Sequence, residues 1–127
     1  THWKNYEFYT RDVLNYAPRT LAPDMVALWP PTELAEGYQY ETVRENYWLS
    51  GGERSMHVSY VHPLPHVEGM LVAYLPNEKI LIEADLSDSR TLLGHVQRLG
   101  LDVETIVPIH GLPVAWSDFV EQLDSGR

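Results

Sequence analysis

The sequence predicts an α/β domain, on three observations. Two apolar runs of strand length, Met70–Leu75 and Ile80–Ala84, stand on either side of the turn Pro76-Asn77-Glu78-Lys79. An amphipathic helical pattern follows, with an N-cap signal at Ser87-Asp88-Ser89 and a stop at Gly100. A further β-branched run, Val103–Pro108, comes directly after that helix. Strand, helix and strand in that order are the unit of an α/β fold.

The elements justify themselves in chain order. From Asn5 to Tyr16, Tyr6, Tyr9, Val13 and Tyr16 recur at helical spacing, and Pro18 ends the helix. Arg19 to Tyr38 holds Pro23, Pro30, Pro31 and Gly37 and reads as loop, with one short helical turn near Ala22–Leu28. Tyr40–Leu49 reads as a strand, and Ser50-Gly51-Gly52-Glu53 as a hairpin turn, because glycine supplies the positive φ such turns need. Arg54–Val61 alternates, with Met56, Val58 and Tyr60 on the expected buried face and Ser55, His57 and Ser59 on the expected wet one. Met70–Leu75 is apolar at every position, as a central strand covered on both sides would be. The helix up to Gly100 turns Leu92, Leu93, Val96 and Leu99 inward. A last helix begins near Trp116-Ser117-Asp118 and buries Phe119, Val120 and Leu123.

Composition bounds the function. At 127 residues, 44% hydrophobic and 21% charged, the chain suits one domain over residues 1–127 with a core of its own. The net charge of −9 argues against nucleic acid and anionic membrane as partners. With no cysteine there is neither disulfide nor thiolate metal site. No apolar run approaches the roughly 20 residues of a membrane span, and no signal-peptide pattern is present, so the chain reads as soluble. It starts at Thr1 rather than Met, which is expected of a processed, trimmed or partial chain.

Three side chains mark strand ends. His66 lies ahead of Met70–Leu75, Asp85 closes Ile80–Ala84, and His110 with Gly111 follows Val103–Pro108. Each has an ordinary explanation as a loop, cap or turn residue. Together they form a set, because a sheet gathers such ends along one edge and imidazole with carboxylate suits zinc or iron. A rival triplet of His57, His62 and His66 is weaker, since His57 falls on the expected wet face of its strand. His95 reads as a surface residue of its helix, and His2 as part of a ragged start. Nucleophilic catalysis has little support: there is no cysteine and no Gly-x-Ser-x-Gly elbow. No catalytic residue is assigned.

The stretch Pro65-His66-Val67-Glu68-Gly69-Met70-Leu71-Val72-Ala73-Tyr74-Leu75-Pro76, then Lys79-Ile80-Leu81-Ile82-Glu83-Ala84-Asp85, then Val107-Pro108-Ile109-His110-Gly111, resembles the C-terminal half of metallo-β-lactamase-fold hydrolases. The likeness runs from about Tyr40 to the end. His66, Asp85 and His110 match three of that family's metal-ligand positions in order, 19 and then 25 residues apart. The resemblance implies a mixed sheet with helices on one face, half of an αββα sandwich. It also implies zinc, with His66 on one metal, His110 on the other and Asp85 between them.

The family's HxHxDH motif is missing. From His2 the chain reads His2-Trp3-Lys4-Asn5-Tyr6-Glu7, with lysine, tyrosine and glutamate where histidine, aspartate and histidine are needed. Each metal then lacks two protein ligands, whereas a catalytic zinc ordinarily has three and an open position. Two functions follow as expectations. One is a metal-dependent hydrolase half that needs a missing N-terminal half or a second copy of itself, and is inactive alone. The other is a non-catalytic binding or interaction module. A homodimer is expected because the strands are too apolar to face water.

Overall fold

Leu81 has no exposed surface, and the sheet is built outward from its strand. The computed structural model describes residues 1–9, 41–64, 68–86 and 88–126. Six strands pair in chain order: β1 (Asn46–Gly51), β2 (Arg54–Tyr60), β3 (Leu71–Leu75), β4 (Ile80–Glu83), β5 (Thr105–Pro108) and β6 (Val114–Ala115). Every neighbouring pair is antiparallel except β4 and β5, which run parallel. A parallel pair needs a crossover, and helix α1 (Ser89–Leu99) supplies it. Helix α2 (Trp116–Asp124) follows β6.

The core lies between the sheet and the helices. Val61, Val72, Tyr74, Leu81, Val103 and Ile106 meet Leu92 and Val96 of α1, and Trp116 and Phe119 of α2 pack against the same cluster. Both helices therefore cover one face of a mixed sheet, as expected. Each such apolar side chain contributes roughly 1.5–3 kcal/mol when fully buried. The Tyr74 hydroxyl, carried inside with its ring, donates to the Asp102 carbonyl at 2.8 Å.

Local chemistry sets the element ends. Asp88 caps α1, its Oδ1 accepting from the Arg90 and Thr91 amides at 3.1 and 3.2 Å. The Thr91 hydroxyl donates to Oδ2 at 2.7 Å, and these bonds hold the Asp88 carboxyl below its usual pKa, the Thr91 side chain most of all. Gly100, at φ +62°, ends the helix in the left-handed region. Gly51 pairs with Arg54, so the hairpin turns on two residues, with Gly52 at φ +61°.

Four expectations differ from what is found. The strand expected over Tyr40–Leu49 begins only at Asn46; Val43 is buried and pairs instead with His2, in parallel. The face of β2 expected to be wet is the better buried one: His57 is 5% and Ser59 1% exposed, while Met56, Val58 and Tyr60 are half-buried on the other side. His95, expected at the surface, is 3% exposed. His2, expected to be ragged, is 1% exposed and lies over the Tyr60 ring at 4.1 Å between centroids. Of the helix expected over Asn5–Tyr16, Asn5 closes a 3₁₀ turn that starts at Trp3, and residues 6–9 continue helically. The rest of it, and the turn expected at Ala22–Leu28, lie outside the described residues.

The reason for the inverted face of β2 is a polar contact inside the core. Ser59 Oγ is 2.8 Å from His95 Nε2, and Arg98 Nη2 is 2.9 Å from His95 Nδ1. A guanidinium only donates, so Nδ1 accepts and Nε2–H donates to Ser59. The imidazole is thus spoken for on both sides and cannot take the serine's proton, so this pair is structural rather than nucleophile and base. Burial, reinforced by Arg98, pushes the His95 pKa down to about 4. Burial also lowers His57 and His2.

A neutral histidine inside the fold gives acid lability of a defined sign. The unfolded chain binds a proton on His95 near pH 6.5 and the folded chain only near pH 4. Stability is therefore complete above about pH 6.5 and falls as the pH drops towards 4, by on the order of 3 kcal/mol for this one group. Urea unfolding at pH 7.5 and pH 4.5 measures it. His95→Gln is expected to be less stable at pH 7.5 and to lose less between the two pH values than wild type.

Candidate functional site

The parallel register of β4 and β5 builds the site. Glu83 pairs with Pro108, so residues the same distance beyond each strand end leave the sheet side by side. Asp85 and His110 are such a pair, 25 residues apart like Glu83 and Pro108. Glu83 braces both exits: its carbonyl accepts from the Ile109 amide and its Oε2 from the Leu86 amide, each at 2.9 Å. Asp85 takes φ +54°, a conformation that aspartate tolerates better than most residues. The turn brings its Oδ1 to 2.6 Å from His110 Nδ1. Gly111, at φ +115°, then leads the chain away.

Both side chains are open to water, Asp85 at 67% and His110 at 77%. Their contact occupies one carboxylate oxygen and one ring nitrogen, leaving Oδ2 and Nε2 outside the bond. An oxygen and an imidazole nitrogen at one exposed sheet edge are donors suited to zinc. His66, the third expected ligand, lies outside the described residues. Among the described residues no group of three or more histidines, cysteines and acids stands close enough to hold a metal. The residues in view thus supply a donor pair rather than a full coordination set. Ile109 and Leu112, either side of His110, are 62% and 82% exposed, so the rim of this edge is apolar.

A cavity of about 420 Å³ adjoins the same edge. Its wall includes Ala84, the residue before Asp85, with Met70 and Leu71 at the start of β3 and His2, Asn5 and Tyr9 of the N-terminal segment. Glu68 and Gly69 close one side, and Lys4 pairs with Glu68 at 3.1 Å. Neither ring nitrogen of His2 has a hydrogen-bond partner among the described residues. The Arg44 carbonyl favours the protonated ring, but desolvation outweighs it and the pKa falls. Sequence reasoning passed over His2, because a residue near a chain start carries no burial signal. His95 did carry one: it lies three residues after Leu92 and beside Val96, on the inward stripe of α1.

The fold has known counterparts. The chain superposes on a metallo-β-lactamase from Pontibacter korlensis with a TM-score of 0.50 and 21% identity, over 72% of this chain and 51% of that one. It also superposes on a rubredoxin oxygen:oxidoreductase from Desulfovibrio gigas, with a TM-score of 0.50 and 19% identity over 71% and 32%. The chain therefore spans about half the length of the first and a third of the second. Likeness at such identity establishes a shared metallo-β-lactamase-like fold. No protein-family model matches the sequence, and no curated protein sequence does.

Side chains this exposed contribute little to folding, which separates a functional role from a structural one. Asp85→Asn and His110→Ala are each expected to shift the unfolding free energy by less than about 1 kcal/mol. Leu81→Ala, at the centre of the core, is expected to cost about 2–5 kcal/mol. Urea titrations of the three variants make the comparison; losses at Asp85 or His110 as large as at Leu81 would mark the pair as structural.

Proposed function

We propose that this chain is the C-terminal part of a metal-dependent hydrolase site of the metallo-β-lactamase superfamily, with His66, Asp85 and His110 as its zinc ligands. The observation that carries the reading is the 2.6 Å approach of Asp85 to His110 at the ends of two parallel strands. Bound zinc supplies an activated water for attack on an ester, thioester, amide or phosphodiester. The residues of this chain hold the metal edge: Glu83 fixes both strand exits, Asp85 orients His110, and Gly111 turns the chain clear of it. No residue of this chain is assigned as the base or acid, and the site as proposed is incomplete. It needs a partner contributing the remaining ligands, either an N-terminal half or a second copy.

The sheet surface supports the need for a partner. Away from the helices, Met56, Val58, Leu71, Ala73 and Ile82 are only half-buried, and Leu49 is 42% exposed. Contiguous apolar surface beyond a few hundred Å² is unusual on a monomer. We propose that a two-fold dimer, or the missing half, covers this face. Sedimentation velocity at high micromolar concentration is expected to give a dimer; a well-folded monomer throughout would remove the homodimer.

An incomplete site holds metal weakly. The purified chain is expected to bind zinc poorly and to hydrolyse ester, thioester and β-lactam substrates no faster than background. The assay compares wild type with His110→Ala, with and without chelator. Residual zinc binding that disappears in the variant supports the ligand assignment. Zinc-dependent turnover lost in the variant would show that the chain is a hydrolase by itself. Zinc binding unchanged by His110→Ala would leave the non-catalytic module as the better reading.

A further inference from the structure

We propose that the cavity beside Ala84 is a binding site for a small uncharged molecule with an apolar body and one hydrogen-bonding group, anchored by His2. The body is matched by the wall: Met70, Leu71 and Ala84 are apolar, and about 420 Å³ falls within the range of pockets that take small ligands. An anion is disfavoured by the net charge of −9 and by the Glu68 carboxylate in the wall, which is paired with Lys4.

His2 supplies the anchor. A buried polar group without a partner costs about 1–3 kcal/mol, so an imidazole at a cavity wall with no partner among the described residues calls for an explanation. Burial keeps the ring neutral, with one donor nitrogen and one acceptor. A hydroxyl can satisfy either. The cover over the ring is light: the Asn5 amide and His2 Nδ1 converge on the point where a Cβ of Gly69 would stand, 3.1 Å from Nδ1. Asn5 is held there by a 3.5 Å bond to the Glu68 carbonyl, at the outer limit of a hydrogen bond. His2 already forms part of the cavity wall, with the Asn5 amide beside its Nδ1. The proposal does not depend on metal at the Asp85–His110 edge.

The test is an NMR titration of the whole chain with phenol, in chelator, so that failure of zinc binding has no bearing on it. Saturable shifts are expected at the His2 ring and the amides of Met70, Leu71 and Ala84. His2→Phe is expected to bind phenol about tenfold more weakly, as loss of one hydrogen bond predicts, and Asn5→Ala more tightly. Benzene, on wild type, is expected to bind about tenfold more weakly than phenol on the same ground. Shifts that centre elsewhere, or none, overturn the site. Benzene equal to phenol, or undiminished binding by His2→Phe, overturns the role of His2.

Discussion

Parallel pairing of β4 with β5 is the constraint on which the rest depends. Among the strand pairs of the described sheet it is the one that a hairpin cannot make, so the chain must leave the sheet, cross its face as α1 and return. The crossover requires a helix that starts and stops sharply, which Asp88 and Gly100 provide. The return lays Leu92 and Val96 over Leu81, and that contact is the core. The same pairing aligns the two strand ends, so the core and the Asp85–His110 contact follow from one register. A slip of one residue would turn Leu81 towards the open face and separate the aspartate from the histidine together.

Much of this was legible in the sequence, and the reasons are physical. The two apolar runs, the cap at Asp88, the glycine stop and the hairpin at Gly52 are local signals that need no partner to be read. The pairing of Asp85 with His110 was legible because each directly follows a strand. The polarity of β2 was not. Its alternation was read correctly, but the face was assigned on the rule that serine and histidine face water. His95 reaches into the core from α1 and satisfies Ser59 there, while Asn46 on the neighbouring strand bonds His57, and a contact across 36 residues leaves no trace in a local pattern. His2 failed for a related reason: its burial depends on pairing with Val43 and on the Tyr60 ring.

The buried histidines divide by how their nitrogens are used. His95 is bonded on both sides, and Arg98 fixes its tautomer. His57 stacks on Trp48 at 4.5 Å and has Asn46 at one nitrogen, 2.9 Å away. His2 has neither. All three are held towards the neutral form by burial, yet only the first is paid for in full by its contacts. A histidine bonded on both sides is a fastener; one left without partners beside a cavity has capacity to spare.

That difference gives the molecule two unlike surfaces along one edge. The Asp85–His110 contact is exposed and polar, its two side chains open to water at 67% and 77%. The cavity a residue away places Met70, Leu71, Ala84 and a neutral imidazole beside the polar groups of Asn5, Tyr9 and Glu68, so it offers an apolar patch with hydrogen-bonding groups at its border. A charged carboxylate is held at low cost in the first environment, because stripping its water away is costly. Selection of an apolar ligand needs the second. Ala84 stands between them, the last residue before the turn at Asp85, so a ligand seated against Ala84 lies beside that exposed edge.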